Sequence, residues 1–424
     1  MDKKYKLERL SNGIKVLYIP IKKSNIIYLE FSILNGTINE NKKTLEHGHF
    51  LEHMNSKFTS EKYPNALENI KTLSHLGCKT NASINSYITQ YYIQGPTVHS
   101  KKLLDIILNS YSKFKIDKTI FKQEKRSVIE ELRSYDNDQW SNLEEKMNKE
   151  IYKNHPYEHT YRDRIKNTKK TTIKELYQFR KKHYKTTNTL FIIAGDFEEN
   201  KCKQYIRRIL SEMTKTKTSK NYPQYEYKLN KIPKLIYVKN DTLSTKLTIR
   251  FQIPYTTFEA NKNMIDVLPK ILTNGLDSRL YKLRHKHGLI YYISSEIETD
   301  YMNKKLSSFT IQTEVDSNSI KKVIEIILEE IKLLKDQGVT DAEINKVKNI
   351  FLMEQFEHKM TSNIYDYVEM YSENVVFDKK IYTFKEYYEM RKNITKNKIR
   401  IIARSIFDEK RMVIGYSGKQ KINL

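Results

Sequence analysis

The sequence predicts a mixed strand-and-helix protein built as two similar halves, and two observations predict it. The first is that short alternating strands recur with longer helical stretches between them. The second is that the layout of the first half returns in the second at a nearly fixed spacing. Ile27, Leu29, Phe31 and Ile33 alternate with more polar neighbours as Leu247, Ile249, Phe251 and Ile253 do, at a shift of 220 residues. Thr172 to Gly195 is matched by Thr395 to Gly418 at a shift of 223. Residues 213–233, rich in Thr, Lys, Ser and Asn with two prolines and little periodicity, read as a linker. The expected domains are therefore 1–212 and 234–424.

In order, Leu10-Ser11-Asn12-Gly13 forms a turn ahead of a strand from Ile14 to Ile19. The alternation from Ile27 to Ile33 has the period of a half-buried strand, and Asn35-Gly36 ends it. A helix follows from about Thr44, another spans 64–76, and 77–83 with 87–93 read as a strand pair. Residues 100–115 are helical. Asp117 is an N-cap for a helix reaching Tyr135, Trp140 to Tyr152 is a further helix, and His155-Pro156-Tyr157 breaks the pattern. Thr171 to Lys182 is helical, and Leu190 to Asp196 is a buried strand.

The helix after Thr44 carries Glu46-His47-Gly48-His49-Phe50-Leu51-Glu52-His53-Met54. His49, Glu52 and His53 spell H-x-x-E-H. Residues four apart share a helix face, so the two imidazoles converge on one Zn²⁺ and the Glu52 carboxylate borders it, placed to take a proton from water. Phe50, Leu51 and Met54 give the same helix an apolar side. A catalytic zinc wants a third protein ligand. On the helix from Asp117, Glu124 and Glu131 are seven apart and share an azimuth, while Glu130 points away. Glu131 is taken as the third ligand and Glu124 as a carboxylate that orients a ligand from behind. His47 lies on another face and has a structural or solvent-exposed role. At the shift of 220, His49, Glu52 and His53 fall on Pro269, Leu272 and Thr273, so the second half lacks the metal chemistry.

The 424 residues carry a formal charge of +25, which would suggest a polyanion partner, but the lysines are spread along the whole length instead of clustering, which argues against nucleic acid. Cys78 and Cys202 are far apart with no CxxC pair, so a disulfide framework is unsupported and a reducing, cytoplasmic setting is the default. The amino end shows no signal or transit peptide, and no run is long enough to span a membrane.

Together these residues resemble the M16 zinc peptidases, the inverzincins. His49 to Met54 resembles their metal helix, and Glu124 with Glu131 their downstream glutamate pair. Asn81-Ala82 is similar to the strand residues that align substrate. His155-Pro156-Tyr157 and Gly195-Asp196 match as well. Arg284 and Tyr291, seven apart around Gly288, resemble the Arg and Tyr that contact substrate backbone. Two departures stand out. Glu46-His47-Gly48 replaces a usual Gly-x-Ala or Gly-x-Ser, and Asn55-Ser56-Lys57-Phe58-Thr59 stands where a Phe and a Gly are usual.

The resemblance implies an α+β fold of two homologous domains, each a mixed β-sheet with helices packed on one face, the half-clamp of M16 and LuxS-like proteins. It implies a zinc-dependent endopeptidase acting on peptides or unfolded segments. One Zn²⁺ per chain would be held by His49, His53 and Glu131, with Glu52 as general base and Glu124 behind a ligand. Asn81 and Ala82 would bind substrate, and Arg284 and Tyr291 would assist from the second domain. A chain this short resembles the members that pair, so a homodimer or a heterodimer with a related subunit is expected. The alternatives are a non-catalytic scaffold or partner subunit of the same fold, or a basic polyanion-binding protein.

Overall fold

The structure is a computed structural model that describes residues 5–218, 226–227, 235–242, 244–299, 306–360, 364–377 and 379–422. The expected linker, 213–233, lies largely outside them. The fold is α+β, with one mixed sheet in each of two compact units. The first unit comprises Met1–Ser134, His159–Tyr222 and His358–Ile381; the second comprises Tyr135–Glu158, Pro223–Glu357 and Tyr382–Leu424.

The first sheet has six strands in the order Lys6–Arg9, Lys15–Pro20, Thr189–Gly195, Ile26–Ile33, Thr89–Pro96, Lys79–Ile84. The second has five: Leu235–Lys239, Met412–Gly418, Ser244–Pro254, Leu306–Asp316, Ile290–Thr299. Without its first strand, the first sheet has the order of the second, including one parallel pair at the same place: Lys15–Pro20 with Thr189–Gly195, and Leu235–Lys239 with Met412–Gly418. The repeat seen in the sequence is thus a repeat of topology. Matching helices Ile173–His183 and Lys396–Ile406 lead into the matching strands, and each is capped by a threonine hydroxyl, Thr172 and Thr395.

On one face of the first sheet, Ile27, Leu29, Phe31 and Ile33 pack with Leu103, Leu104 and Ile107 of the helix Ser100–Ser112 and with Ile206 and Leu210 of Glu199–Ser211. The alternate residues Tyr28, Glu30 and Ser32 are also buried, although the alternation predicts a half-buried strand and the family resemblance helices on one face only. The helix Ile364–Val376 covers them: Tyr365 lies edge-on to Tyr28, and Lys15 donates to the Val375 carbonyl at 2.6 Å. The buried polar row satisfies itself, because Glu30 accepts from Tyr28, Ser32 and Gln90, and burial pushes its carboxyl up toward the neutral form.

The second unit repeats the arrangement with a helix from the other end of the chain. Leu143, Met147 and Ile151 of the helix Gln139–Ile151 pack on Ile236 and Val413. Gly415 makes room for Met147, whose sulfur would lie 2.3 Å from a Cβ there. Among the polar residues of this face, Arg250 is buried and its Nη2 donates to both oxygens of Glu144 at 2.8 and 2.7 Å, which pairs the guanidinium's charge out of water. Residues 135–158 and 358–381 therefore complete sheets that the rest of their own halves do not form. Among the described residues no helix is long and apolar enough to cross a membrane.

Candidate metal centre

The site lies wholly in the first unit, on two helices. His47–Asn55 carries both histidines, and its start at His47 is later than the expected Thr44. Phe50, Leu51 and Met54 are fully buried, and Phe50 stacks on Phe121 of the second helix, Lys118–Asn137, at 5.0 Å. That apolar contact sets the spacing of the two helices and turns their polar faces toward each other. Asp117 caps the second helix by accepting from the Thr119 and Ile120 amides. Its Glu130 points to solvent and pairs with Arg133.

Between the helices, His49 Nε2 lies 3.2 Å from His53 Nε2, and Glu131 Oε2 lies 3.4 and 3.5 Å from the two. Three donors about 2.0–2.1 Å from one ion at tetrahedral angles stand about 3.4 Å apart. The donor set and its spacing thus fit zinc. The Nδ1 atoms fit as well. His53 Nδ1 is 2.9 Å from Glu124 Oε2, whose other oxygen meets Lys57 at 2.9 Å. His49 Nδ1 is 2.8 Å from Glu46 Oε2, whose other oxygen meets Arg164 at 2.5 Å. A carboxylate at Nδ1 keeps the proton there and leaves the Nε2 lone pair free to coordinate.

The electrostatics favour a cation at this point. Burial would hold down the pKa of the His49 ring, but the bonds to Glu131 and Glu46 outweigh it and raise it to about 10. Burial likewise opposes ionisation of Glu124, and His53 with Lys57 outweigh it and lower its pKa. Glu52 is 8% exposed, its Oε2 is 3.9 Å from His53 Nε2, and burial pushes its carboxyl up. It therefore borders the donor atoms from a poorly solvated position, as a base that must exchange protons should.

The amino end of the metal helix is built by residues that sequence reasoning missed. Buried Glu40 accepts from the Glu46 and Gly48 amides at 3.0 and 2.8 Å, capping the helix from outside it. A Cβ at Gly48 would lie 2.9 Å from both the Glu40 carboxylate and the Ile84 side chain of the edge strand, so any larger residue there would have to displace them. Glu46 adopts a left-handed conformation, φ 66, and Phe58 beyond the helix does the same, φ 51. Glycine takes that conformation without cost, and these two positions fall within the two stretches that depart from the M16 pattern. His47 is buried edge-on to Phe179, and its Nδ1 has no hydrogen-bond partner among the described residues.

Asn81 and Ala82 sit on Lys79–Ile84, the edge strand of the first sheet, which packs beside the metal helix. Arg284 and Tyr291 belong to the second unit, where they meet. The guanidinium lies 5.0 Å from the Tyr291 ring centre and donates to the Tyr281 hydroxyl at 2.9 Å, and Tyr291 is 75% exposed.

Comparison with known proteins gives a consistent result. The pattern of the insulinase family (peptidase family M16) matches residues 15–164, and that of the "Peptidase M16 inactive domain" matches residues 170–351. The chain is 24% identical over 363 residues to the "Uncharacterized zinc protease YmxG" of Bacillus subtilis, covering 83% of this chain and 85% of that one. It is 23% identical over 366 residues to the mitochondrial-processing peptidase subunit beta of Saccharomyces cerevisiae, covering 80% and 75%. The crystal structure of a protease from Helicobacter pylori superposes with a TM-score of 0.84 at 21% identity, over 99% of this chain and 100% of the other.

Proposed function

The chain belongs to the M16 peptidase family, and from that premise we propose that it is a zinc-dependent endopeptidase acting on peptides or unfolded segments. The observation that carries this reading is the triangle of His49, His53 and Glu131 donors at tetrahedral spacing, with Glu52 at its side. Those three residues would hold the ion. When bound, zinc supplies Lewis acidity that brings a water's pKa to about 7 and polarises a peptide carbonyl.

The residues of this chain do the rest. Glu52 takes the proton of the attacking water and returns it to the departing amine as the C–N bond breaks. Glu124, held by Lys57, keeps His53 in register. Asn81 and Ala82 present the main chain of an edge strand to an extended peptide, so recognition rests on backbone hydrogen bonds and tolerates varied sequence. Arg284 and Tyr291 donate to the carbonyl oxygen or the adjacent peptide backbone. The chain works as a pair, with a second copy or a related subunit. That the yeast relative is named as a subunit supports this.

The test is Glu52→Gln. Zinc content should stay at about one ion per chain, while peptide cleavage falls by about 10²–10⁴-fold. Cleavage near the wild-type rate would remove Glu52 from the chemistry.

A further inference from the structure

We infer that Glu46 is a positioning residue for the metal site, fixing the His49 ring with its Nε2 turned toward Glu131 and His53. This rests on the zinc reading above. The carboxylate is doubly engaged: Oε2 lies 2.8 Å from His49 Nδ1, and Oε1 takes the Arg164 guanidinium at 2.5 Å. Its side chain is 6% exposed and that of Arg164 12%, so neither is free to swing away into water.

The pairing copies the one behind the other histidine. There Lys57 holds Glu124, which holds His53 Nδ1, as Arg164 holds Glu46, which holds His49 Nδ1. Both rings of the candidate ligand pair thus have a carboxylate at Nδ1 backed by a cation. Such partners set the tautomer, the ring angle and the basicity of a ligand.

Backbone strain argues the same way. At φ 66 a side chain of any kind is disfavoured, and glycine would relieve the strain. Glu46 does not repay it by capping its helix, since its side chain makes no cap hydrogen bond and Glu40 fills that role. What the side chain does at this position is tie His49 to Arg164.

The test uses the full-length chain and Zn²⁺ alone, with affinity read by competition against a chromophoric chelator and the apo melting temperature read in parallel. In Glu46→Gly the relieved left-handed strain offsets part of the lost Arg164 pairing, so the apo chain should stay folded while the zinc dissociation constant increases about 10–100-fold. Glu46→Gln keeps the shape and an oxygen for Nδ1, so it folds even where loss of the Glu46–Arg164 pair destabilises the glycine variant, and its constant should rise about tenfold or less. A merely structural residue would move the melting temperature and leave zinc affinity alone. Wild-type affinity in every variant that folds overturns the inference while the zinc reading stands. A wild-type chain that binds no zinc, or a His49→Ala chain that binds it as well as wild type, sinks the zinc reading and this inference with it.

Discussion

Two short helices at matching places in the two sheets have opposite fates. His47–Asn55 presents His49, Glu52 and His53 to a polar face, whereas Val267–Leu272 and the Thr273 just after it put Pro269, Leu272 and Thr273 at the matching positions. Leu272, standing where Glu52 stands, is fully buried among Val267, Leu268 and Ile271. Thr273, standing where His53 stands, shares a hydrogen bond between its hydroxyl and that of Ser295 at 2.7 Å. Pro269 sits in the first turn, where its missing amide has no helical partner to lose. One scaffold position thus carries candidate metal donors in the first unit and packing in the second. The difference between them lies in side chains, not in strand order.

That contrast can be broken at three places. The largest effect should come from His53→Ala, which leaves two protein ligands where a catalytic zinc needs three. Metal analysis should find the ion lost, and peptide cleavage should drop by more than about 10³-fold, with the fold intact by circular dichroism. A His53→Ala chain that keeps both zinc and turnover would erase the distinction between the helices. Next comes Leu272→Ala. Its cavity should cost about 2–5 kcal/mol in denaturant unfolding, with zinc stoichiometry unchanged. Zinc loss without destabilisation would mean that the second helix has metal chemistry of its own.

The smallest effect concerns the helices that lead into the matching strands. His183 closes Ile173–His183 at the place where Lys396–Ile406 ends in buried Ile406. Burial first, then Lys182 and Lys185, lower the His183 pKa from 6.5 to about 4. The unfolded chain therefore takes a proton below pH 6.5 that the folded chain refuses. Stability contributed by this group is full above pH 6.5 and falls as pH drops toward 4. His183→Ile, the residue the second unit uses, should flatten that acid limb by about 1–2 kcal/mol, allowing for partial solvent screening. An unchanged slope between pH 6.5 and 4 would clear His183 of acid sensitivity.

The parts that were legible in the sequence are those with local periodicity. The four-residue step from His49 to His53 and the seven-residue step from Glu124 to Glu131 are helix geometry, and the structure puts all four side chains together. Threonine caps and alternating strands likewise announced the matching elements. Arg164 was not legible. It reaches Glu46 across 118 residues from Tyr161–Lys170, a strongly polar helix in which only Thr168 is buried. Glu46 left one hint, lying one helical turn before His49, but its left-handed backbone is visible only in the fold. Glu30 and Arg250 misled in the same way. Polar residues alternating with apolar ones read as solvent-facing, and each is buried because a helix from elsewhere in the chain lies over it. Local sequence cannot encode a partner that far off.

The exchanged helices carry a consequence for synthesis. As the nascent chain leaves the ribosome, the first sheet can pair its strands once Gly195 has emerged, yet the helix that seals its polar row begins at Ile364. Until then Tyr28 and Glu30 lack their cover, and the first half stays an open book whose back cover is printed last. A ribosome that stalls between those points would release a chain with its metal helix complete and its sheet unsheathed.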